Sequence, residues 1–303
     1  MDVEHADTNS FIEAEIASQP DCWRRAIDAV PEHGLKLPGT GERVAVVGCG
    51  TSLFVARAYA ALREAAGAGE TDAFPASEFP AGRRYDRLVA ISRSGTTSEV
   101  LDVLAVADGT PAVAITADEA TPIATLATHT IELAVAAERS VVQTRFPTTV
   151  LALLRASLGE DLGDVVTAGD AAVSSPLPVA AGEFHQITFL GRNWAAAMAE
   201  EAALKCREAA GFWTESYPAM EFRHGPISVS EPGTVVWVFG AAPPGLVDEV
   251  AATGARFVSD RLDPMVDLMR AQRLAVALAR HAGRDPDRPR SLSFSVVLGD
   301  EQP

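Results

Sequence analysis

Two polar segments of the sequence combine residue types that can bind an anion and move a proton. The first segment, residues 92–98, is Ser-Arg-Ser-Gly-Thr-Thr-Ser and lies between an apolar run and a stretch with helical spacing. Hydroxyl and N–H groups at the start of a helix can bind a phosphate, because free donors and the positive end of the helix dipole converge there. A serine-rich helix cap is the alternative, since serine and threonine are preferred at that position.

The second segment carries a cluster of titratable side chains on and after a predicted long helix. Glu201, Lys205 and Glu208 follow at i, i+4 and i+7, so they share one helix face. His224 lies in a turn after this helix, directly before Gly225-Pro226. Because the helix is otherwise rich in alanine, the cluster favours acid–base chemistry. A solvated salt bridge and a structural histidine are the alternatives.

A glycine-rich loop and a further polar segment accompany these motifs. Residues 48–52, Gly-Cys-Gly-Thr-Ser, follow an apolar run that predicts a buried strand. Ligands of parallel sheets bind beyond the carboxyl ends of the strands, so we expect this loop and residues 92–98 to face one crevice. A turn that only lets a helix pack closely is the alternative, and the third glycine of a dinucleotide motif is missing. Residues 138–145 form either a polar surface loop or a lid or wall of the same crevice.

Short apolar runs alternate with alanine-rich helical segments along the whole chain, which predicts parallel α/β structure with helices on both faces of the sheet. The predicted strands are 44–47, 88–91, 112–115, 130–133, 186–190, 234–239 and 256–258. The predicted helices are 53–66, 98–106, 121–127, 148–157, 246–253, a long helix that ends at 210, and two short N-terminal helices divided at Pro20. Glycines end strands at positions 48 and 191, which indicates a duplicated unit.

Composition shifts divide the chain into four predicted parts. Residues 170–181 are rich in serine, proline and alanine and predict a linker. We therefore expect an N-terminal helical segment at 1–35, a first α/β domain at 36–170 and a second at 182–284. A proline-rich, extended tail is expected at 285–303, lying across the two domains.

The overall composition excludes several classes of protein. The chain has 303 residues, a net charge of −16, 48% hydrophobic and 22% charged residues, which is typical of a globular protein and excludes extensive disorder. The acidic balance argues against nucleic-acid binding. The three cysteines, Cys22, Cys49 and Cys206, form no CxxC pair, so neither a disulfide framework nor a metal site is expected. Neither a signal peptide nor an apolar run of about 18 residues is found, which predicts a cytoplasmic protein without a membrane span.

Together these motifs resemble the SIS (sugar isomerase) family in its tandem form, including the isomerase half of glucosamine-6-phosphate synthase. The matching segments occur in the family's order and spacing, at 48–52, 76–79, 92–97, 138–144 and 201–226. The resemblance implies two tandem SIS domains, each a parallel sheet flanked by helices in a flavodoxin-like three-layer sandwich. It begins at the isomerase half, so we expect no glutaminase domain.

The resemblance also implies which residues bind the substrate, a small-molecule sugar phosphate, with no cofactor. The expected binding residues are Ser52, Ser92, Arg93, Ser94, Thr97 and Val141. The three hydroxyls of the 92–98 loop would hold the phosphate. Arg93, at a position where the synthase has glutamine, would add a cation near it. Ser52 and Val141 would line the sugar.

The expected catalytic residues are Glu208, His224 and Lys205. By the same resemblance, Glu208 would move a proton between C1 and C2, and Lys205 would lie near the sugar oxygens. His224 would assist ring opening and would come from the neighbouring subunit, so a homodimer with shared active sites is expected.

Two departures from the family pattern bear on the reaction. Phe294 stands where the synthase carries a lysine, so no amine is available there for a Schiff base. After the strand that ends at 239, residues 240–244 are Gly-Ala-Ala-Pro-Pro, so only the first domain is expected to bind phosphate. The leading function is a hexose(amine) 6-phosphate isomerase or deaminase. A fructosamine-6-phosphate deglycase and a sugar-phosphate-binding regulator without catalysis are the alternatives.

Overall fold

The structure, a computed structural model, describes residues 10–107 and 109–299 and contains two parallel β-sheets flanked by helices. The predicted α/β class is therefore confirmed. Nine residues of the predicted N-terminal segment and four of the predicted tail lie outside the described residues. No helix in the described part of the chain is long and apolar enough to cross a membrane.

From residue 10 onward, three short helices precede the first sheet. They are α1 (Phe11–Ala17), α2 (Gln19–Asp28) and α3 (Val30–His33). Pro20 lies in the first turn of α2, where a missing N–H removes no helical hydrogen bond, so the chain starts a new helix there. The predicted division at this proline is confirmed.

The first sheet has five parallel strands in the order β2-β1-β3-β4-β5. Its strands are β1 (Val44–Gly48), β2 (Thr71–Pro75), β3 (Arg87–Ile91), β4 (Ala112–Thr116) and β5 (His129–Glu132). The associated helices are α4 (Thr51–Ala65), α5 (Ser98–Val106), α6 (Pro122–Leu126), α7 (Arg145–Ser157) and α8 (Gly163–Ala172). Every residue of β1 and β4 is buried, which requires helices on both faces of the sheet.

The second sheet has four parallel strands in the order β7-β6-β8-β9. Its strands are β6 (Gln186–Gly191), β7 (Thr214–Pro218), β8 (Thr234–Val238) and β9 (Arg256–Val258). The helices of this half are α9 (Trp194–Ala210), α10 (Leu246–Thr253) and α11 (Pro264–His281). Its four strands repeat the order of the first four positions of the first sheet.

The two sheets share one central core. Val44 and Val46 of β1 and Phe189 of β6 belong to the same buried cluster, which is filled by residues of α4, α7, α9 and α11. Ala45 and Val47 point to the opposite face, where a separate small cluster packs against α5 and α6. The helices between the sheets therefore fix the end of β1 relative to α9.

The two edge strands that flank β1 and β6 carry a sequence repeat. Residues 71–79 are TDAFPASEF and residues 214–222 are TESYPAMEF, 143 positions apart, as are the two strand-end glycines. The chain reads Arg-Glu-Ala-Ala-Gly at the end of each preceding helix, at 63–67 and at 207–211. The repeated arginine makes the same contact in each half, since Arg63 donates to the Thr71 hydroxyl at 2.9 Å and Arg207 to that of Thr214 at 3.1 Å.

The chain after α11 crosses from the N-terminal helices to the first sheet. The Asp287 carboxylate accepts hydrogen bonds from the backbone N–H groups of Phe11 and Ile12, both at 2.9 Å, at the start of α1. Residues 294–298 then lie against the 92–98 loop. The tail therefore reaches the carboxyl end of the first sheet.

Candidate active site

The glycine loop and the 92–98 loop lie side by side, because β1 and β3 are neighbours paired in parallel, with Val47 opposite Ala90. A Cβ at Gly48 would come within 2.7 Å of the backbone of Ser52, so glycine is needed where the chain turns into α4. Both loops therefore open at one crevice, as the sequence predicts for parallel strands.

The hydroxyl groups of the 92–98 loop gather at the first turn of α5. Gly95 has φ +64°, and a Cβ there would lie 2.0 Å from the Thr121 hydroxyl, so only glycine fits. The Ser92 hydroxyl accepts from the Gly95 N–H at 3.2 Å and lies 3.3 Å from the Thr97 hydroxyl. The Thr97 side chain makes no capping hydrogen bond to α5, which leaves its hydroxyl available.

The C-terminal tail covers this loop. The Ser295 hydroxyl accepts hydrogen bonds from the hydroxyls of Ser94, at 3.0 Å, and Thr96, at 2.9 Å. The Ser98 N–H donates to the carbonyl oxygen of Val296 at 3.3 Å. The tail thus uses donors that a bound anion would use, and an anion at this loop competes with residues 295 and 296.

Arg93 is buried and turned away from the loop hydroxyls. Its guanidinium forms an ion pair with Glu138 at 3.3 Å and donates to the carbonyl oxygens of Ser140 at 2.8 Å and Val141 at 3.2 Å. It also donates to the carbonyl oxygen of Phe294 at 2.9 Å and lies 3.8 Å from the centre of that ring. A lysine at 294 would bring a second positive charge to this contact, so the arginine at 93 and the phenylalanine at 294 suit each other.

Residues 138–145 form a wall of the crevice and not a surface loop, because every second residue from Glu138 to Thr144 is buried. The Glu138 carboxylate accepts from the N–H groups of Thr144 at 2.6 Å and Arg145 at 2.7 Å, at the start of α7. Glu15 of α1 accepts from the N–H of Arg139 at 2.6 Å and from the Ser140 hydroxyl. Burial raises the pKa of Glu15 despite these donors. Two buried carboxylates therefore hold the wall against Arg93.

The three charged residues of α9 form a network that reaches the glycine loop. The Lys205 ammonium lies 2.5 Å from Glu208 Oε2 and 3.3 Å from Glu201 Oε1. It also donates to the Thr51 hydroxyl at 2.9 Å, and that hydroxyl donates to Glu201 at 3.2 Å. The network thus joins the second sheet's helix to the start of α4. Glu201 and Lys205 are buried, so the alternative of a solvated salt-bridged face does not hold for them.

The network has one cation and two carboxylates in a buried place. Burial raises the pKa of Glu201 to about 8, although the charge of Lys205 opposes this rise. Burial would lower the pKa of Lys205, but the two carboxylates outweigh it and raise that pKa above its usual value. Glu208 keeps 20% of its side chain exposed, so it is the member that a substrate can reach.

His224 lies apart from this network. It is exposed on the short helical turn Glu221–His224, which is held by an ion pair between Arg223 and Glu249 at 2.6 Å. Within the described ranges, no hydrogen bond or ion pair joins His224 to Glu208. The structure therefore groups the loops, the 138–145 wall, Lys205 and Glu208 in one chain and leaves His224 facing outward.

Three residues of the crevice have no role in the sequence-based prediction. Thr51 lies inside the glycine loop. Its position directly before Ser52, a predicted binding residue, was only a weak indication that it belongs to the site. Glu15 lies on α1, and its carboxylate belongs to no local motif of the sequence. Ser295 contacts residues about 200 positions earlier, and no local pattern predicts such a contact.

The protonation of Glu201 makes stability depend on pH. The unfolded chain releases this proton near the ordinary value of 4.5, whereas the folded chain holds it up to about 8. The free energy of unfolding therefore falls as pH rises between these values. In Glu201→Gln this fall should be smaller. Each pKa unit corresponds to about 1.4 kcal/mol. From the low-pH to the high-pH end of this window, we therefore expect the Tm of wild type to fall by at least about 2–4 °C more than the Tm of Glu201→Gln.

Thermal melts of wild type and variant across this window check the prediction. Glu200→Gln, which removes a half-exposed carboxylate of the same helix, is the matched control and should follow the wild-type profile. Parallel profiles for wild type and Glu201→Gln would show that Glu201 is ionised throughout.

Comparison with known sequences identifies the first part of the chain. A model of the SIS domain matches residues 40–158. Glutamine–fructose-6-phosphate aminotransferases [isomerizing] of Listeria monocytogenes and Methanothermobacter thermautotrophicus are each 28% identical to this chain, over 98% and 95% of it. The alignments cover 60% and 57% of those proteins, so the chain spans about 60% of the length of these curated relatives.

Comparison with solved structures extends the likeness to both sheets. Glucosamine-6-phosphate deaminase from Thermotoga maritima matches with a TM-score of 0.76 and 23% identity, over 95% of this chain and 100% of its own. Tagatose-6-phosphate ketose/aldose isomerase from Escherichia coli matches with a TM-score of 0.75 and 22% identity, over 97% and 98%. At these identities the likeness shows the fold. The resemblance drawn from the motifs is confirmed: the chain contains an SIS domain and is homologous to the isomerase half of glutamine–fructose-6-phosphate aminotransferases.

Proposed function

We propose that the protein is a phosphosugar isomerase or deaminase that acts on a hexose or hexosamine 6-phosphate by moving a proton between C1 and C2. The observation that carries this proposal is the Glu208 carboxylate, held by a buried lysine 2.5 Å away and reachable at a crevice whose other side is a hydroxyl-rich helix start. An anion-binding loop facing an acid–base group suits a small phosphorylated substrate.

In the bound state the phosphate lies at the start of α5. It takes the place of Ser295 and Val296, and the hydroxyls of Ser92, Ser94 and Thr97 donate to it. Such charge-assisted hydrogen bonds are stronger than the neutral contacts that they replace. Arg93 acts through its neighbours, because it holds the 138–145 wall and presents the backbone of Val141 to the sugar. Ser52 lines the other side.

Proton transfer then follows the same steps for an isomerase and a deaminase. With glucosamine 6-phosphate, Glu208 removes the proton from C2 of the open-chain sugar, the electron pair forms a C1–C2 double bond, and the C1 carbonyl oxygen gains a proton. The nitrogen lone pair then forms a C2–N double bond as the proton returns to C1. Water hydrolyses this imine to fructose 6-phosphate and ammonia. Lys205 positions Glu208 and faces the sugar oxygens, and His224 moves the proton of ring opening.

The aromatic ring at position 294 bears on which of these reactions takes place. A phenylalanine there supplies no amine to form a Schiff base with a ketose or to open the ring. Isomerisation, deamination and hydrolysis of a substituted amine need only a base, an acid and water. We therefore favour these over the nitrogen-adding reaction of a synthase.

A non-catalytic sensor of sugar phosphates is the second candidate. It would need the anion-binding loop and not the Glu208–Lys205 pair, so the pair argues for an enzyme. A sensor would bind sugar phosphates without converting any of them.

The architecture of the proposed enzyme has two further parts. The repeats at 71–79 and 214–222, and the matching order of the second sheet, support a second SIS domain at 182–284 after the first at 36–170. Exposed apolar side chains, Trp213 and Met220, accompany the turn that carries His224 and support a homodimer interface there. In that dimer His224 completes the partner's site.

Incubation of the protein with a panel of sugar 6-phosphates, with coupled detection of ammonia and of the ketose, tests the proposed function. The panel contains glucosamine, glucose, fructose and fructosamine 6-phosphates. Conversion of at least one of them is expected. Binding without any conversion would favour the sensor, and the absence of both would overturn the proposal.

The loop hydroxyls give a direct prediction about binding. Ser94→Ala and Thr97→Ala each remove one donor to a charged acceptor, which is about 1.5–3 kcal/mol, so each should weaken sugar-phosphate binding by about tenfold or more. Calorimetry with a hexose 6-phosphate measures this. Thr125→Ala, whose hydroxyl bonds only within its own helix, is the control and should bind as wild type. Unchanged affinity in both loop variants would reduce the loop to a helix cap.

A further inference from the structure

We propose that a cavity between α1, α11 and the chain after α8 binds a small amphipathic carboxylate, with the apolar part of the ligand along its walls and the carboxylate on Arg273. Its lining comes from α1, α11 and residues 173–177, and so it is separate from the 92–98 loop, the 138–145 wall and the C-terminal tail. The site therefore stands or falls independently of the proposed function.

The cavity is large enough for a small molecule and has mostly apolar walls. Its volume is about 520 Å³, and small-molecule sites occupy about 300–1,000 Å³. On each of α1 and α11, lining residues follow at i, i+3 and i+4, so they share one face of the helix. The apolar residues of the lining are Ile16, Ala17, Val173, Leu177, Val276 and Ala277.

Arg273 of α11 is the polar group on which the ligand depends. Its Nη1 donates to the carbonyl oxygens of Ala172 and Ser175, both at 2.7 Å, at the end of α8. These two bonds hold the side chain at the cavity and use one nitrogen of the guanidinium. Among residues 10–107 and 109–299, neither a hydrogen-bond acceptor for Nε and Nη2 nor an ion-pair partner for Arg273 is found.

The pair of nitrogens that Arg273 leaves unused is the pair that binds carboxylates elsewhere in this chain. Arg87 donates to Glu42 through Nε at 2.9 Å and through Nη2 at 2.8 Å. Arg155 uses the same two nitrogens on Glu160. Two parallel donors of one guanidinium match the two oxygens of a carboxylate. Arg273 therefore presents a carboxylate-binding edge to the cavity.

The charges at the cavity fit a ligand with one negative charge. Glu13 and Arg280 form an ion pair with each other, and both are exposed, so Glu13 does not neutralise Arg273. Two arginines and one glutamate line the cavity, which leaves an excess of one positive charge. Burial, and then the charge of Arg270, lowers the pKa of Arg273. One bound carboxylate balances this charge, whereas a phosphate dianion would reverse it.

A carboxylate on an aliphatic chain meets both requirements of the site. The chain packs on Ile16, Leu177 and Val276, and the carboxylate accepts two hydrogen bonds from Arg273. Each buried CH₂ group strengthens binding by about three- to fourfold, so affinity should rise with chain length. A sugar phosphate has hydroxyl groups where the walls are apolar, and it carries more charge than the cavity balances. Fatty acids of medium length are therefore the class of ligand that the cavity favours.

Calorimetry with octanoate, octanamide and acetate tests the site. Octanoate should bind one molecule per chain with a Kd below about 1 mM. Octanamide has the same shape without the charge and should bind at least about tenfold more weakly. Acetate should bind at least about a hundredfold more weakly, because it has no chain to bury. Equal affinity for octanoate and octanamide, or no binding of octanoate, would overturn the proposal.

Arg273→Gln tests the residue that holds the carboxylate. Glutamine can still donate to a carbonyl oxygen at the end of α8, but it has no second edge for the ligand. Octanoate should bind this variant at least about tenfold more weakly, and octanamide should bind it as it binds wild type. Arg84→Gln, which removes an exposed arginine before β3, is the matched control and should bind octanoate as wild type does. Wild-type affinity for octanoate in Arg273→Gln would refute the site.

Ala277→Glu tests the cavity without removing a hydrogen bond of Arg273. Position 277 lies four residues after Arg273 on the same face of α11, so a carboxylate there repels the ligand or takes its place. Ala277→Gln has the same size without the charge and is the matched control. Ala277→Glu should bind octanoate at least about tenfold more weakly than Ala277→Gln does, and equal affinities would count against the site.

A competition experiment separates this cavity from the crevice. Octanoate affinity should stay within about twofold of its own value when a hexose 6-phosphate is present in excess. Displacement of octanoate by the sugar phosphate would place octanoate at the 92–98 loop and would overturn the proposed cavity site. Loss of sugar-phosphate binding or conversion, with octanoate still bound through Arg273, would overturn the proposed function alone.

Discussion

Glu208→Gln is expected to lower turnover of the sugar phosphate by about 10²–10⁴-fold and to leave binding of the phosphate close to wild type. Glutamine keeps the shape of the side chain and can still accept a hydrogen bond from Lys205, which lies 2.5 Å from Glu208 Oε2. It cannot take a proton from carbon. The loss should therefore appear in kcat and in the exchange of solvent deuterium into C1 or C2.

Glu200→Gln is the control for this variant. Glu200 is on the same helix, pairs with Arg57 at 2.5 Å and lies outside the Lys205 network, so its loss should leave turnover near wild type. Deuterium exchange at the wild-type rate in Glu208→Gln would assign the base to another residue. Calorimetry on the same sample separates loss of the base from loss of the fold, because a folded variant still binds the substrate.

Several of the strands that the sequence predicted share one physical property. β1, β4 and β8 are buried on both faces, so each is a continuous apolar run that stands out from its surroundings. Two of the four edge strands, β2 and β7, were not predicted, because half-exposed strands admit aspartate, glutamate and serine. Their repeat, TDAFP and TESYP, was the available signal, and comparison of the chain with itself would have found it.

The helix α11 was not predicted either, for a different reason. Asp267, Arg270 and Gln272 lie on it and are buried, so its apolar pattern is interrupted by polar residues. The Arg270–Asp267 ion pair at 3.1 Å and a bond from Gln19 to Gln272 at 2.7 Å give these side chains partners inside the core. Buried polar pairs of this kind depend on distant partners, which local periodicity does not reveal.

The candidate site was predictable where its residues lie close together in the sequence. The 92–98 loop and the Glu201–Lys205–Glu208 face each lie within one short segment, so residue types and spacing were enough to single them out. The direction of the Arg93 side chain was not predictable, because it is set by Glu138 and by the carbonyl oxygen of Phe294, about 200 positions away. Contacts over such separations are decided by the packing of the two halves.

Mixing two inactive variants should restore activity if the sites are shared between subunits. Glu208→Gln lacks the base and His224→Ala lacks the acid, so each homodimer has two defective sites. In a heterodimer of the proposed kind, one active site carries both substitutions and the other active site carries neither. Equal mixing with complete exchange makes half of the dimers heterodimers, so about one quarter of wild-type activity is expected. The exposure of His224, away from the Glu208 network of its own chain, is the structural reason for this expectation.

The arrangement of the lesions makes this mixing experiment decisive. If His224 served the Glu208 of its own chain, each site of the heterodimer would keep one lesion and no activity would return. Native mass spectrometry of isotope-labelled subunits must show that the subunits have exchanged, because homodimers that have not exchanged are inactive as well. The control mixes Glu208→Gln with a chain carrying both substitutions, in which no arrangement gives an intact site. Activity that appears in the mixture of Glu208→Gln with His224→Ala, and not in the control mixture, places His224 in the partner's site. Absence of activity after verified subunit exchange places His224 beside the Glu208 of its own chain.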